Sequence, residues 1–517
     1  MLFNSHTMGI PKAWVITKRH LTDSVQVIGS LKNPNLFQTQ GYINGRYVDS
    51  SSTQTFDVNN PASFPDPKSY IGTVQSMTAD DFNTAVGHAE TAFKTFRKTT
   101  AEYRSDLLRS LYNSYIKNQD DLAKLIVLEN GKPYADALGE VKYAASFFKW
   151  YADIATTKTG DIINSTGTNK RILSLKQPIG VCGIMTPWNF PAAMITRKLA
   201  AYVAAGCTGV IKPASETPFS ALAMGHLQEQ AGFPKGVINI LPSSNAAEVG
   251  KLLCEHPGIK KVSFTGSTNV GKLLMSQSAS TLKKLSFELG GNAPLIVFND
   301  VDIDSAVDGA IASKFRSSGQ TCICANRIFV HESIYDEFSE KFASKLEASV
   351  TLGDGLDQGV THGPVIHERS FAKVRSHIED AVSKGAKIIS GGNPRPDLGV
   401  NFHELTILAG VTSDMLITQE ETFGPVCPLI KFSSEEEVLA MANDTDVGLA
   451  GYFFTNDIRR AFRVAEELEV GMIGVNTGAI SEAALPFGGI KASGFGREGS
   501  IYGVDDYMVV KSMVIGL

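Results

Sequence analysis

The sequence predicts an α/β protein: a doubly wound parallel sheet, a second α/β domain after it, and strands that belong to neither. Three observations carry this. Between Gly180 and Phe287, short β-branched runs alternate with helical patterns, giving five strands and four helices; such alternation specifies parallel βαβ units rather than hairpins. A second alternation of the same kind begins after Glu288 and runs to about Gly499. Residues 160–178 and 502–516 alternate in strand fashion outside both patterns, and exposed strands of that kind invite pairing with another subunit.

Taken in order, residues 1–30 read as an extension. Lys12, Lys18 and Arg19 precede the first acid, Asp23. That bias is compatible with a mitochondrial transit peptide, whereas Gly9 and Pro11 spoil an amphipathic helix, so cytoplasm and mitochondrial matrix both stay open. Folding signals begin near Leu31, where Gly41-Tyr-Ile-Asn-Gly45 reads as a strand and tight turn. From Asp80, Phe82, Val86, Ala89, Phe93 and Phe96 share one helix face, and helical patterns continue to about Ala155. The doubly wound unit has predicted strands at 181–185, 207–212, 237–241, 260–264 and 283–287, with helices near 192–204, 218–230, 246–255 and 268–279. Strands near 295–298, 327–331 and 426–431 belong to the second pattern. The expected division is 31–158 with 180–289, then 290–499, and a discontinuous strand element of 159–179 with 500–517.

Length and composition bound the function. A chain of 517 residues suggests roughly three domains. Lys and Arg number 48 against 53 Asp and Glu, a net charge of −5, so no global positive field gathers nucleic acid or anionic membrane. The expected partner is a small molecule. The longest weakly polar run, 199–211, lies between Lys198 and Lys212 and falls short of the roughly 18 residues a membrane span needs. The six cysteines, Cys182, Cys207, Cys254, Cys322, Cys324 and Cys427, show neither a disulfide framework nor zinc spacing. A reducing compartment follows, no metal is expected, and any special cysteine is chemical.

Doubly wound sheets bind ligands beyond the carboxyl ends of their strands. The turns there read Thr186-Pro-Trp-Asn-Phe-Pro191, Pro213-Ala-Ser-Glu216 and Thr265-Gly-Ser-Thr268. The last suits a phosphate at a helix N-terminus, although it is not GxGxxG. In Gly319-Gln-Thr-Cys322-Ile-Cys324 a cysteine follows a glycine and small polar residues, which suits a thiolate nucleophile and equally a small packed core residue. Glu288, between Phe287 and Leu289 and followed by Gly290 and Gly291, reads as a desolvated general base or as a solvated edge acid.

Together, Thr186-Pro-Trp-Asn-Phe-Pro191, Phe264-Thr-Gly-Ser267, Phe287-Glu-Leu-Gly-Gly291, Gly319-Gln-Thr-Cys322, Glu421-Thr-Phe-Gly-Pro425 and Pro486-Phe-Gly-Gly489 resemble the aldehyde dehydrogenase superfamily. The likeness covers nearly the whole chain from about residue 35, and the interval from Glu288 to Cys322 matches as well. The resemblance implies a Rossmann-type cofactor domain, an α/β catalytic domain and a strand oligomerisation element that makes a dimer or tetramer. It implies that Cys322 attacks the aldehyde, Asn189 and the Cys322 N–H hold the oxyanion, and Glu288 activates the hydrolytic water. It also implies that Trp188, Lys212, Ser215, Gly266, Ser267, Glu421 and Phe423 bind NADP or NAD.

Many NAD-preferring relatives carry an acid where this chain has Ser215, which removes a repulsion against a 2′-phosphate; Glu216 beside it points to dual use. Met194-Ile-Thr-Arg-Lys198 and Lys314-Phe-Arg-Ser-Ser-Gly-Gln-Thr-Cys-Ile-Cys-Ala-Asn326 resemble the succinate-semialdehyde dehydrogenase subfamily. That likeness implies that Arg197, Arg316 and Ser481 bind a distal carboxylate, in the last step of 4-aminobutyrate breakdown, although either arginine could instead pair with a structural acid. Alternatives are a broader aldehyde or glutarate-semialdehyde dehydrogenase, and a silent relative, against which Cys322, Glu288 and Asn189 argue. Cys324 is either a packed small residue or the partner of Cys322 in a reversible disulfide.

Overall fold

The computed structural model describes residues 27–517; the basic stretch 1–22 lies outside the described residues. An eight-stranded sheet forms the first layer. Its strands run in the order Arg46–Val48, Gly41–Ile43, Ile238–Ile240, Thr208–Lys212, Val181–Met185, Ile259–Thr265, Lys284–Glu288 and Gly494–Phe495. The five central strands are parallel and match the predicted ones within two residues. Helices Ala193–Ala205, Phe219–Gln230, Ala246–Glu255 and Thr268–Ser278 connect them.

Local sequence explains each edge. Asn44 and Gly45 take left-handed φ values of 51° and 78°, which suits the tight turn joining Gly41–Ile43 to Arg46–Val48. Helix Ala79–Phe96 starts at a capping box in which Asp81 N donates to Thr78 Oγ1 at 3.3 Å and Thr78 N donates to Asp81 Oδ2 at 2.8 Å, worth about 1 kcal/mol. Phe82, Val86, Ala89 and Phe96 of its predicted apolar face are buried, and Phe93 is half-buried.

The second sheet has seven strands, in the order Lys387–Ser390, Thr406–Ala409, Val426–Phe432, Arg327–His331, Pro294–Val297, Ala450–Phe454 and Met472–Val475. All pairings are parallel except the first. Gly494–Phe495, from the segment expected in this second domain, instead pairs antiparallel with Lys284–Glu288 of the first sheet. A third sheet joins Lys170–Pro178 to Met508–Gly516 in a nine-pair antiparallel register, with Ile162–Ile163 on its other side. Its C-terminal strand starts at Met508, because Asp505–Tyr507 forms a 3₁₀ turn. Val510 and Val514 of that strand are 67 % and 61 % exposed. Among the described residues no helix is long and apolar enough to cross a membrane.

Candidate active site

The carboxyl ends of four adjacent parallel strands bring the predicted residues to one edge. Lys212 pairs in register with Met185, just before the turn carrying Trp188 and Asn189, and Thr265 pairs with Glu288. The winding direction reverses between Val181–Met185 and Ile259–Thr265, the position at which such sheets take ligands. A cleft of about 1570 Å³ opens beside the ends of Ile259–Thr265 and Lys284–Glu288, toward loops of the second sheet, lined by Ser267, Thr268, Gly290, Gly291, Glu421 and Asp444 among others. Ser267 is the N-cap of helix Thr268–Ser278, and its side chain makes no capping bond, so the first N–H groups of that helix keep their capacity for an anion. The Gly266 N–H is already used, donating to the Glu288 carbonyl at 3.1 Å.

The nucleophile loop is shaped by backbone that few residues tolerate. After helix Ile303–Lys314, Ser317, Ser318 and Gly319 have φ of 49°, 55° and 75°. A Cβ on Gly319 would lie 2.1 Å from the Gly424 carbonyl oxygen, so only glycine lets this loop lie against the Glu421–Pro425 turn. Gln320 locks the loop by donating to Ser317 O and Pro364 O and accepting from Ile366 N at 2.9 Å. Cys322 is half-buried. Burial pushes its thiol up to about 12, with the Arg197 charge opposing, so the resting nucleophile is a neutral thiol that needs a base. Cys324 is buried, its Sγ 3.9 Å from the Arg316 carbonyl, and both cysteines are free.

Asn189 reaches this loop by donating from Nδ2 to the Gln320 carbonyl at 3.1 Å. Glu288 is the last residue of strand Lys284–Glu288. Its Oε2 contacts Arg197 Nη2 and the Thr265 hydroxyl, and its Oε1 is buried without a partner. Arg197 pairs through Nε with Glu498, and its guanidinium stands 4.5 Å from the centroid of the Phe487 ring. The structure therefore pairs Arg197 with internal acids, the alternative left open by sequence. Arg316 behaves differently: its Nη1 donates to Ser481 Oγ at 3.3 Å, and no carboxylate pairs with it among the described residues. The Tyr143 phenol lies buried beside both arginines; burial raises its pKa, and their charges oppose the rise.

Of the remaining predicted positions, Glu421 lines the cleft, and Lys212, Ser215, Trp188 and Phe423 lie outside its lining. Lys212 is buried, donates to the Pro213 carbonyl at 3.0 Å and is pulled down to about 8 by burial. Ser215 donates to Glu216 at 3.2 Å. Burial pushes Glu421 up to about 7, and Gly291 N donates to it at 3.5 Å. Phe423, at φ 51°, meets the Trp188 ring edge-on at 5.6 Å. Among the described residues no group of three or more His, Cys, Asp or Glu side chains could hold a metal.

A model of the aldehyde dehydrogenase family matches residues 47–513. The chain belongs to the aldehyde dehydrogenase family. It is thus an oxidoreductase, and the fold expected from the resemblance holds. Among similar proteins, this aldehyde dehydrogenase is 51 % identical over 488 residues to succinate-semialdehyde dehydrogenase [NADP(+)] of Saccharomyces cerevisiae, covering 94 % of this chain and 97 % of that one. It is 51 % identical over 486 residues to glutarate-semialdehyde dehydrogenase of Pseudomonas aeruginosa, covering 94 % and 99 %. The solved structure of succinate-semialdehyde dehydrogenase from Burkholderia pseudomallei superposes with a TM-score of 0.92 at 50 % identity, covering 95 % of this chain and 100 % of that one.

Several groups around the site escaped the sequence reading. Lys198 and Glu498 form a buried pair next to Arg197, and Lys198 also donates to Thr265 Oγ1 at 2.6 Å. Lys132 and Glu140 pair beneath the Asn189 turn. One signal was present: Glu140 falls on the same helix face as the apolar Ala137, Val141 and Ala144, where an acid needs a buried partner.

Proposed function

We propose that this aldehyde dehydrogenase oxidises succinate semialdehyde to succinate with NADP, and with NAD as an alternative acceptor. The observation that carries the reading is the Arg316–Ser481 hydrogen bond. It places a cation and a hydroxyl in the same loop system as Cys322, with the shape a distal carboxylate requires. The names of the yeast and Burkholderia relatives agree. The Pseudomonas relative favours a second reading, glutarate semialdehyde, which presents the same carboxylate one methylene further away. Arg197, already paired with Glu288 and Glu498, leaves Arg316 as the cation for that carboxylate.

The chain's own groups fit a dinucleotide: a cleft beside the Ser267 turn, a helix N-terminus without a side-chain cap, and a buried carboxylate in Glu421. Lys212 and Glu421 would take ribose hydroxyls. Ser267, with the helix behind it and Gly266 before it, would take the pyrophosphate. Trp188 and Phe423 would pack by the nicotinamide, and Ser215 would leave room for a 2′-phosphate.

In the reaction, Glu288 Oε1 accepts the Cys322 proton and the thiolate forms a C–S bond to the aldehyde carbon. The second Asn189 amide hydrogen and the Cys322 N–H hold the resulting oxyanion. Bound nicotinamide supplies the hydride acceptor that turns the hemithioacetal into a thioester. Glu288 releases that first proton to solvent and then takes one from the attacking water; the C–S bond breaks, the sulfur regains a proton from Glu288, and the carboxylic acid leaves. A Cys322–Cys324 disulfide, reversible by thiol, remains the reading for the second cysteine; peroxide inactivation that persists unchanged in Cys324→Ser contradicts it.

The assembly proposed is a homo-oligomer through the strands 170–178 and 508–516, whose exposed Val510 and Val514 favour burial against a second subunit. The proposed division is a cofactor domain of 31–158 with 180–289, a catalytic domain of 290–499 that lends strand Gly494–Phe495 to the first sheet, and this strand element, in a reducing compartment such as the cytoplasm. Turnover of succinate semialdehyde against butanal, with each dinucleotide, tests the functional reading.

A further inference from the structure

We infer that Lys132 and Glu140 are positioning residues that hold Asn189 in place for the oxyanion, an inference that rests on Asn189 being the oxyanion donor. Lys132 sits in the break between helices Gln119–Asn130 and Tyr134–Thr157, after Gly131 at φ 85° and before Pro133. Its ammonium donates to the backbone carbonyl of Asn189 at 2.6 Å and to Glu140 Oε2 at 2.7 Å, and lies 4.0 Å from the centroid of the Phe190 ring. The other Glu140 oxygen accepts from Ala192 N at 2.9 Å and Ala193 N at 3.3 Å. Those are the first amides of helix Ala193–Ala205, whose own N-cap, Ala192, offers no side chain. Asn130 completes the support by donating to the Trp188 carbonyl at 3.0 Å.

Asn189 is thereby held at two points. Its backbone carbonyl is fixed by Lys132, and its amide is fixed to the nucleophile loop through Gln320 O. One amide hydrogen then remains for a substrate oxygen. Lys132 and Glu140 are 2 % and 0 % exposed. Burying such a pair rarely adds stability, since desolvation offsets the attraction and apolar replacements are often neutral. Direction is what the charges supply here: a short, charge-assisted contact sets a turn more tightly than apolar packing does.

The test compares single-turnover rates of nicotinamide reduction, aldehyde KM and dinucleotide affinity in the full-length enzyme. Lys132→Met/Glu140→Met removes both charges, so neither is left buried and unpaired. It is expected to slow the single turnover by about 10- to 100-fold, to leave dinucleotide affinity within about twofold, and to have no further effect in an Asn189→Ala background. Glu140→Gln keeps shape and an acceptor oxygen, and is expected to show the same pattern more weakly. The inference is overturned if either variant turns over like the parent, or if the losses multiply with that of Asn189→Ala. An Asn189→Ala enzyme with an unchanged single-turnover rate overturns the oxyanion reading itself, and the inference with it. A slowed Asn189→Ala beside unaffected pair variants overturns the pair alone.

Discussion

Arg316 and Ser481, 165 residues apart in the chain, meet at 3.3 Å beside the nucleophile loop. The guanidinium also stands 5.0 Å from the centroid of the Phe190 ring, in the turn that carries Asn189. A cation held this way is proposed to select an aldehyde by its far end. Arg316→Ala should weaken binding of succinate semialdehyde by about 2 to 4 kcal/mol, seen as a higher KM, and leave butanal kinetics close to the parent's. Equal losses on both aldehydes would contradict the clamp.

Glu288 divides the reaction in two. With Oε1 buried and unpartnered, it is placed to serve the hydrolytic step as base. Glu288→Gln should form reduced nicotinamide more slowly than the parent, because Cys322 loses its base, to no more than one equivalent per site, and then stall with the acyl group retained on Cys322 as detected by intact-protein mass spectrometry. Continuous turnover at the parent rate would rule out this role.

Dinucleotide affinity should depend on pH with a defined sign. Burial pushes Glu421 up to about 7, and only the ionised carboxylate accepts from two ribose hydroxyls, so affinity rises as pH increases through about 7. Burial pulls Lys212 down to about 8, and its ammonium donor is lost above that, so affinity falls again. Binding titrations across this range should show a maximum between the two values, and Glu421→Gln should flatten the lower limb. A monotonic fall with rising pH would contradict the assignment.

Ser215 should govern the choice of dinucleotide. A carboxylate at this position repels a 2′-phosphate and accepts from a 2′-hydroxyl. Ser215→Glu should therefore lower the ratio of NADP to NAD kcat/KM by at least about tenfold. An unchanged ratio would show that the 2′-phosphate is accommodated elsewhere.

Much of this was legible in the sequence, for physical reasons. Val181–Met185 and Arg327–His331 stand where β-branched runs end in turn residues, and Ala79–Phe96 where apolar residues recur on one face. Gly41–Ile43 showed itself through its Asn-Gly turn, whereas the two-residue edge strand Gly494–Phe495 has no period to read; it attaches to the first sheet through long-range pairing. Cys322, Glu288 and Asn189 stood out because glycines and turns surround them. Glu140 stands on an apolar helix face, whereas Lys132, Lys198 and Glu498 resemble ordinary surface charges until packing buries them. Arg197 was visible, but its partners, Glu288 and Glu498, were set by tertiary contacts.

Arg316 and Ser481 are proposed to select a semialdehyde by its distal carboxylate. The most direct measurement is kcat/KM for succinate semialdehyde, glutarate semialdehyde and butanal with NADP, with product identified by chromatography. Succinate semialdehyde is expected to exceed butanal by about 100-fold or more, to give succinate in step with reduced dinucleotide, and to be at least as good a substrate as glutarate semialdehyde. Butanal turning over as efficiently as succinate semialdehyde would contradict that selection.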